Sequence, residues 1–229
     1  MSALSISLII IFLCFLFLVI TDGWAKSRAS RSLTDILAGR GQIGALNSKH
    51  LTCSIAFISG CWCYSLLPGN DTLIFEPAWN NPYSFFSIVV TVAALAVGYG
   101  AAVNIAEKQA FFISGYIMKG GPVFMYLLLR IIFLILYECF YRGILLFTFV
   151  DTLGVSFTIA INIALYTLAH AYSSRKEFFG AMPFGLLLCG VTLLHHSVLP
   201  AIIIHLALAM SHEIKLVAIS KSTIKSNRP

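Results

Sequence analysis

The chain reads as an all-α, polytopic transmembrane helical bundle of about seven spans. Three observations predict it. Hydrophobic residues make up 59% of the chain and charged residues only 10%, where a soluble domain carries about a quarter charged residues. Several apolar runs approach or exceed the ~18 residues that mark a membrane span. Lys and Arg also fall into alternate connections, as the positive-inside rule demands of a multi-pass protein. In lipid every backbone hydrogen bond must close internally, and no alternating pattern points to a β-barrel.

Seven spans follow in order: 4–20, 51–67, 85–106, 123–149, 153–171, 178–194 and 198–218. The first lacks a basic leader, exceeds a typical signal-peptide core and has no small-x-small site directly after it, so it is read as uncleaved. Lys26, Arg28, Arg31, Arg40 and Lys49 occupy the first connection, Lys108 and Lys119 the third, and Arg175 and Lys176 the fifth. Lys215, Lys221, Lys225 and Arg228 end the chain, whereas the second, fourth and sixth connections hold no Lys or Arg. The pattern puts the N-terminus outside and the C-terminus in the cytoplasm.

The second connection, PGNDTLIFEPAWNNPY, is rich in turn formers, with Trp79 and Tyr83 suited to an interface. Gly120, Gly121 and Pro122 mark a break before the fourth span. The segment 21–50 reads as a basic strip along the inner surface. Topology and attraction to anionic headgroups account for the net charge of +6, so no nucleic-acid partner is implied. The six cysteines lie in apolar runs without a CxxC pair and read as small buried hydrophobes. Three parts follow: N-terminal spans with a basic loop over 1–120, a core over 121–219, and a polar tail over 220–229.

The chemistry is carried by the few polar groups inside the spans. Of fifteen Lys and Arg, only Arg130 and Arg142 fall well inside, and Glu138 is the one deeply placed carboxylate. A central charge costs about 2.5–3.5 kcal/mol on insertion scales, so it demands compensation. Glu138 and Arg142, at i and i+4, can pair on one helix face. Arg130 lies nearer the cytoplasmic end and reads as snorkelling. Tyr166 and His170 share a face near the end of the fifth span, and His205 lies inside the seventh. His212 and Glu213 approach the cytoplasmic end, and His195 and His196 read as solvated residues of the outer turn.

Glu138, His170 and His205 thus come from three separate helices. A carboxylate and two imidazoles can hold a water with the carboxylate as general base. They can also form a three-ligand site for a divalent metal such as zinc. Two histidines could instead serve as axial ligands to haem. No HExxH or GxSxG motif is present.

ECFYRG, then YTLAH, then a span containing His205 resembles the CAAX-protease and bacteriocin-processing (CPBP) family of intramembrane endopeptidases, also called the abortive-infection family. Its motifs are EExxxR, FxxxH and HxxxN. Glu138 matches the second acid of the first motif and Arg142 its arginine. Tyr166 and His170 match the second motif, with Tyr for Phe, and His205 matches the third. KEFFGAMPFGLLLCGV is similar to a linking helix of bacterial members. The likeness covers roughly residues 134–215. Tyr137 stands where the family has its first, water-activating acid, and Ala209 where it has asparagine.

The resemblance implies a peptidase acting on a peptide or protein in or near the bilayer of a bacterial cytoplasmic membrane. Prenylated CAAX tails, leader peptides or bacteriocin-like peptides are its substrate classes. Catalysis is expected from Glu138, Arg142, His170 and His205. The two departures leave a non-hydrolytic binding or immunity protein as the alternative.

Overall fold

In the computed structural model residues 3–27, 32–67, 81–108, 120–171 and 175–226 are described. They form α1 (Ala3–Ser27), α2 (Leu33–Leu37), α3 (Ile43–Ser65), α4 (Ser84–Lys108), α5 (Gly120–Glu138), a π-helical segment (Cys139–Leu146), α6 (Phe147–Leu153), α7 (Val155–Ala169), α8 (Arg175–His195) and α9 (Leu199–Ser226). There is no strand among the described residues. Since α5, the π segment and α6 run on without a break, these elements make eight continuous helices.

Five of them are long and apolar enough to cross a membrane: Ser5–Ala25, Ser84–Glu107, Gly121–Leu153, Arg175–His195 and Leu199–Ser222. This is a multi-pass integral membrane protein. Two of the seven expected spans are not among the five. α7 has 15 residues, about 22 Å at ~1.5 Å per residue, which is short of a hydrocarbon core of ~30 Å. α3 begins at Ile43, not 51, and its first turns carry Asn47, Ser48, Lys49 and His50. Trp79 lies outside the described residues, as do Arg28, Arg31, Lys119 and Arg228.

Within the stretch 21–50 the described residues include a face packed into the bundle. α1 continues to Ser27, and α2 buries Leu33, Ile36 and Leu37 against Leu46, Ala102, Tyr126, Leu216 and Val217. Ser32 caps α2, its hydroxyl accepting from the Asp35 amide at 3.2 Å. Lys49 forms an ion pair with Asp22, tying α3 to α1. The paired Arg40 and Lys49 thus accompany a cluster of buried aliphatic side chains in this stretch.

Lipid tails are as apolar as leucine, so close packing rather than water exclusion must hold the helices together. Exposed Phe12 and Ile20 on α1 and Phe85 and Val92 on α4 cost nothing in that solvent. The tightest seam joins α4 to α9. Ala94, Gly98 and Ala102 recur every four residues, and both alanines are buried. A Cβ on Gly98 would overlap Ser211 Oγ and the Leu208 carbonyl oxygen, so the backbones touch there. Lys215 Nζ donates to the Tyr99 hydroxyl at 2.7 Å further along the seam.

The central helix is α5 with its π continuation. Phe57, Phe133, Tyr137, Phe140, Tyr141 and Tyr166 pack around it in one buried cluster with Leu134 and Ile144. Ring centroids stand 4.5 Å apart for Tyr137–Tyr141 and 5.1 Å for Phe57–Phe140. Such pairs contribute about 0.5–1.5 kcal/mol each beyond their area. The result is a rigid aromatic wall around Glu138 and Arg142.

Candidate functional site

Glu138 ends α5, and Arg142 sits inside the π segment; both are fully buried. The stretch that reads as plain α-helix in the sequence is thus π-helical, a rare form that is frequent at functional sites. The pair still forms, with Arg142 Nε 3.3 Å from Glu138 Oε2. The contact is Coulombic rather than directional, because neither atom makes a hydrogen bond of acceptable angle.

His205, on α9, closes the other side. Its Nδ1 lies 2.5 Å from Glu138 Oε1. A carboxylate only accepts, so Nδ1–H donates and Nε2 is left free. Helix α9 brings His205 to Glu138's depth even though their positions counted along separate spans differ. Phe184 of α8 packs against the imidazole with ring centroids 5.4 Å apart.

Tyr166 and His170 build the third side. The guanidinium carbon of Arg142 stands 4.3 Å from the Tyr166 ring centroid, a cation–π geometry that the dry interior strengthens. Arg142 Nη2 donates to the Gly185 carbonyl at 3.4 Å. A Cβ on Gly185 would come within 3.1 Å of the Tyr166 ring and 3.7 Å of Arg142 Nη2, so glycine makes room for the stacked guanidinium.

His170 follows the last turn of α7, where its Nδ1–H donates to the Tyr166 carbonyl at 2.9 Å. Its ring meets Tyr166 at 5.0 Å, and Tyr166 meets His205 at 6.4 Å. His170 therefore reaches the centre through Tyr166, and no hydrogen bond joins it to Glu138 or His205.

Among the described residues no three His, Cys, Asp or Glu side chains are grouped to hold a metal ion. Glu138 and His205 bind each other and His170 stands behind Tyr166, so the donor set does not fit a three-ligand zinc centre. The Tyr166 ring packs against both imidazoles, in the space a haem plane between them would need.

Other polar residues differ from expectation. Arg130 does not snorkel freely. Its Nε lies 3.7 Å from Glu213 Oε1, and its Nη1 is 3.4 Å from His50 Nε2. Glu213 is accordingly buried rather than cheaply solvated. His195 is buried too, with Nε2 2.8 Å from Ser87 Oγ, whereas His196 is exposed. Cys14, Cys53, Cys139 and Cys189 are buried as expected, Cys61 is partly so, and Cys63 is exposed.

Of Gly180, Gly185 and Gly190, glycines that the sequence offers for close helix approach, only Gly185 meets a neighbour within 4 Å. The Arg130–Glu213 pair is absent from the sequence reading and has no local signal, since its members lie on separate helices. Tyr137 packs into the aromatic wall, 6.1 Å from the His205 ring. Ala209, one turn past His205, packs half-buried on the main core cluster.

Residues 119–210 match the family model described as Type II CAAX prenyl endopeptidase Rce1-like. This stretch is an Rce1-like domain. It contains Glu138, Arg142, Tyr166, His170, Gly185 and His205, so every group of the buried centre lies inside it. α1 to α4 lie outside it and supply the seam and the aromatic partner Phe57. Neither the curated proteins nor the solved structures gave a match to the chain.

Proposed function

We propose that the Rce1-like domain hydrolyses a peptide bond in or beside the membrane, with Glu138 as general base. The observation that carries this reading is the Glu138 carboxylate itself. It is fully buried, held at Oε1 by His205 and faced at Oε2 by Arg142. Oε2 accepts no hydrogen bond, so it keeps lone pairs for a water proton.

In the proposed reaction Oε2 takes a proton as the water oxygen bonds to the scissile carbonyl carbon. The carbonyl oxygen becomes an oxyanion, stabilised by donors preorganised in a dry site. Arg142 Nη1, which has no hydrogen-bond partner, is one such donor. Glu138 then returns its proton to the departing amine as the C–N bond breaks. His205 holds the carboxylate in orientation, and His170 supports the Tyr166 side of the centre. The family description favours a prenylated C-terminal tail as substrate, ahead of leader or bacteriocin-like peptides. The charge pattern of the connections supports a cytoplasmic C-terminus.

The test is purified protein in detergent or liposomes with quenched peptides, including farnesylated CAAX sequences. Cleavage by the natural chain and its loss in Glu138→Gln support the proposal. No cleavage of any peptide by folded protein overturns it. Tyr137 and Ala209 favour a second reading, a non-hydrolytic binding or immunity protein. Ala209→Asn separates the two. Cleavage that appears only in that variant marks the natural chain as a member that has lost an oxyanion donor, a loss that costs about 2.7–4 kcal/mol.

A further inference from the structure

Asn162 is the one primary amide in the apolar helix α7, and it is fully buried. An unpaired amide there costs several kcal/mol, so its partners matter. Its Nδ2–H donates to the Tyr141 carbonyl at 2.5 Å, and its Oδ1 accepts from Cys189 Sγ at 3.4 Å on α8. Both ends of the amide are satisfied, and one of them is held by the π segment.

The carbonyl that Asn162 takes belongs to the residue directly before Arg142. An i→i+5 turn is stable in short pieces only where outside groups support it. α7 supplies that support twice, because the Tyr141 hydroxyl also donates to the Leu165 carbonyl at 3.4 Å. Thr158, Asn162 and Tyr166 recur every four residues and are all buried, so one face of α7 lies along the π segment. The same face places Tyr166 under the guanidinium of Arg142.

If the segment relaxed to ordinary α-helix, the residues after Glu138 would turn about the helix axis. Arg142 would then leave the Gly185 carbonyl and the Tyr166 ring, the partners on other helices that fix its guanidinium. His205 would be left holding a carboxylate whose countercharge is no longer held in place.

We infer that Asn162 is a positioning residue: by holding the Tyr141 carbonyl it keeps the π turn in place, and with it the Glu138–Arg142–His205 arrangement. Its catalytic consequence rests on the hydrolase reading, whereas its structural consequence does not. Asn162 touches none of the reacting atoms and acts through the backbone of residue 141. Cys189 is its second anchor and fixes the rotation of the amide.

The experiment reads the two consequences separately. Protein labelled with [15N]histidine is placed in liposomes, and the His205 ring signals are assigned by their loss in His205→Gln. Asn162→Leu keeps the side-chain size and removes the amide. It is expected to move the His205 Nδ1 resonance toward its position in Glu138→Gln protein. Asn162→Gln, which keeps the amide on a longer stem, is expected to recover part of that shift. Cys189→Ala, a milder change, is expected to shift the same signal less and in the same direction, and it serves if Asn162→Leu does not fold. In the peptide assay Asn162→Leu is expected to lower kcat about tenfold or more with KM within about twofold, as for misplaced groups. A His205 signal that stays put in folded Asn162→Leu or Cys189→Ala protein overturns the inference, as does a Gln variant as displaced as the Leu one. If the natural chain cleaves nothing, the hydrolase reading fails alone, and the resonance still decides the role of Asn162.

Discussion

Replacing Gly98 by alanine should damage both the fold and the site from the far side of the bundle. A Cβ there would overlap Ser211 Oγ and the Leu208 carbonyl oxygen. The serine can turn away, but the carbonyl is backbone and cannot. Ordinary contact begins at 3.4 Å, so α4 and α9 would have to part by about 1 Å. Overpacking of this kind costs about 1–3 kcal/mol. Leu208 lies one turn from His205, so the displacement reaches the 2.5 Å link to Glu138. A hydrogen bond to a charged group is worth about 1.5–3 kcal/mol, and a shift of ~1 Å at a catalytic group can cost about a hundredfold in rate.

Gly100 is the control. A Cβ there meets nothing within 4 Å, and glycine-to-alanine in a helix gains up to about 1 kcal/mol. Thermal unfolding in detergent can be followed with a thiol-reactive dye, since Cys14, Cys53, Cys139 and Cys189 are buried and free. Gly98→Ala should label at lower temperature than the natural chain, and Gly100→Ala at the same temperature or higher. Equal behaviour of the two variants would refute the reasoning, because the seam would then have room that the coordinates deny it.

Glu138→Gln strands a buried guanidinium and should lower stability by about 3–5 kcal/mol. Replacing Glu138 and Arg142 together by methionine should recover most of that loss in the unfolding assay while leaving no peptidase activity. Glu213→Gln should cost about 1 kcal/mol, because Arg130 keeps His50 and some solvent, and kcat should not change. Thr148→Val removes the 2.8 Å hydrogen bond to the Tyr64 hydroxyl and should cost about 1 kcal/mol in the same assay.

Much of the bundle is legible in the chain because lipid imposes one-dimensional rules. Apolar length and charge alternation can be counted, and helices α1, α4, α8 and α9 lie close to the runs that mark them. α3 and α7 blur because the first opens on polar turns and the second is short. Glu138, Arg142 and His205 stand out since ionisable groups in apolar runs are rare. Their meeting is not visible in the chain, because depth depends on how α9 packs against α4 at Gly98. The π turn is equally hidden: its residues would suit an α-helix, and the difference is made by an amide 21 residues away. Arg130 reads as an edge residue until its carboxylate, 83 positions later, is seen to reach it.

The pairing of an early cation with a late carboxylate bears on how the protein is made. Arg142 enters the bilayer beside Glu138 on its own helix, but Arg130 enters with the middle of the chain and its carboxylate, Glu213, emerges only with the last helix. During synthesis the insertion machinery must therefore shelter a half-neutralised intermediate until α9 is delivered. A nascent chain halted at Ser197 should remain bound to that machinery or be cleared by quality control. Release of the full-length protein would then report that its buried charges have found one another.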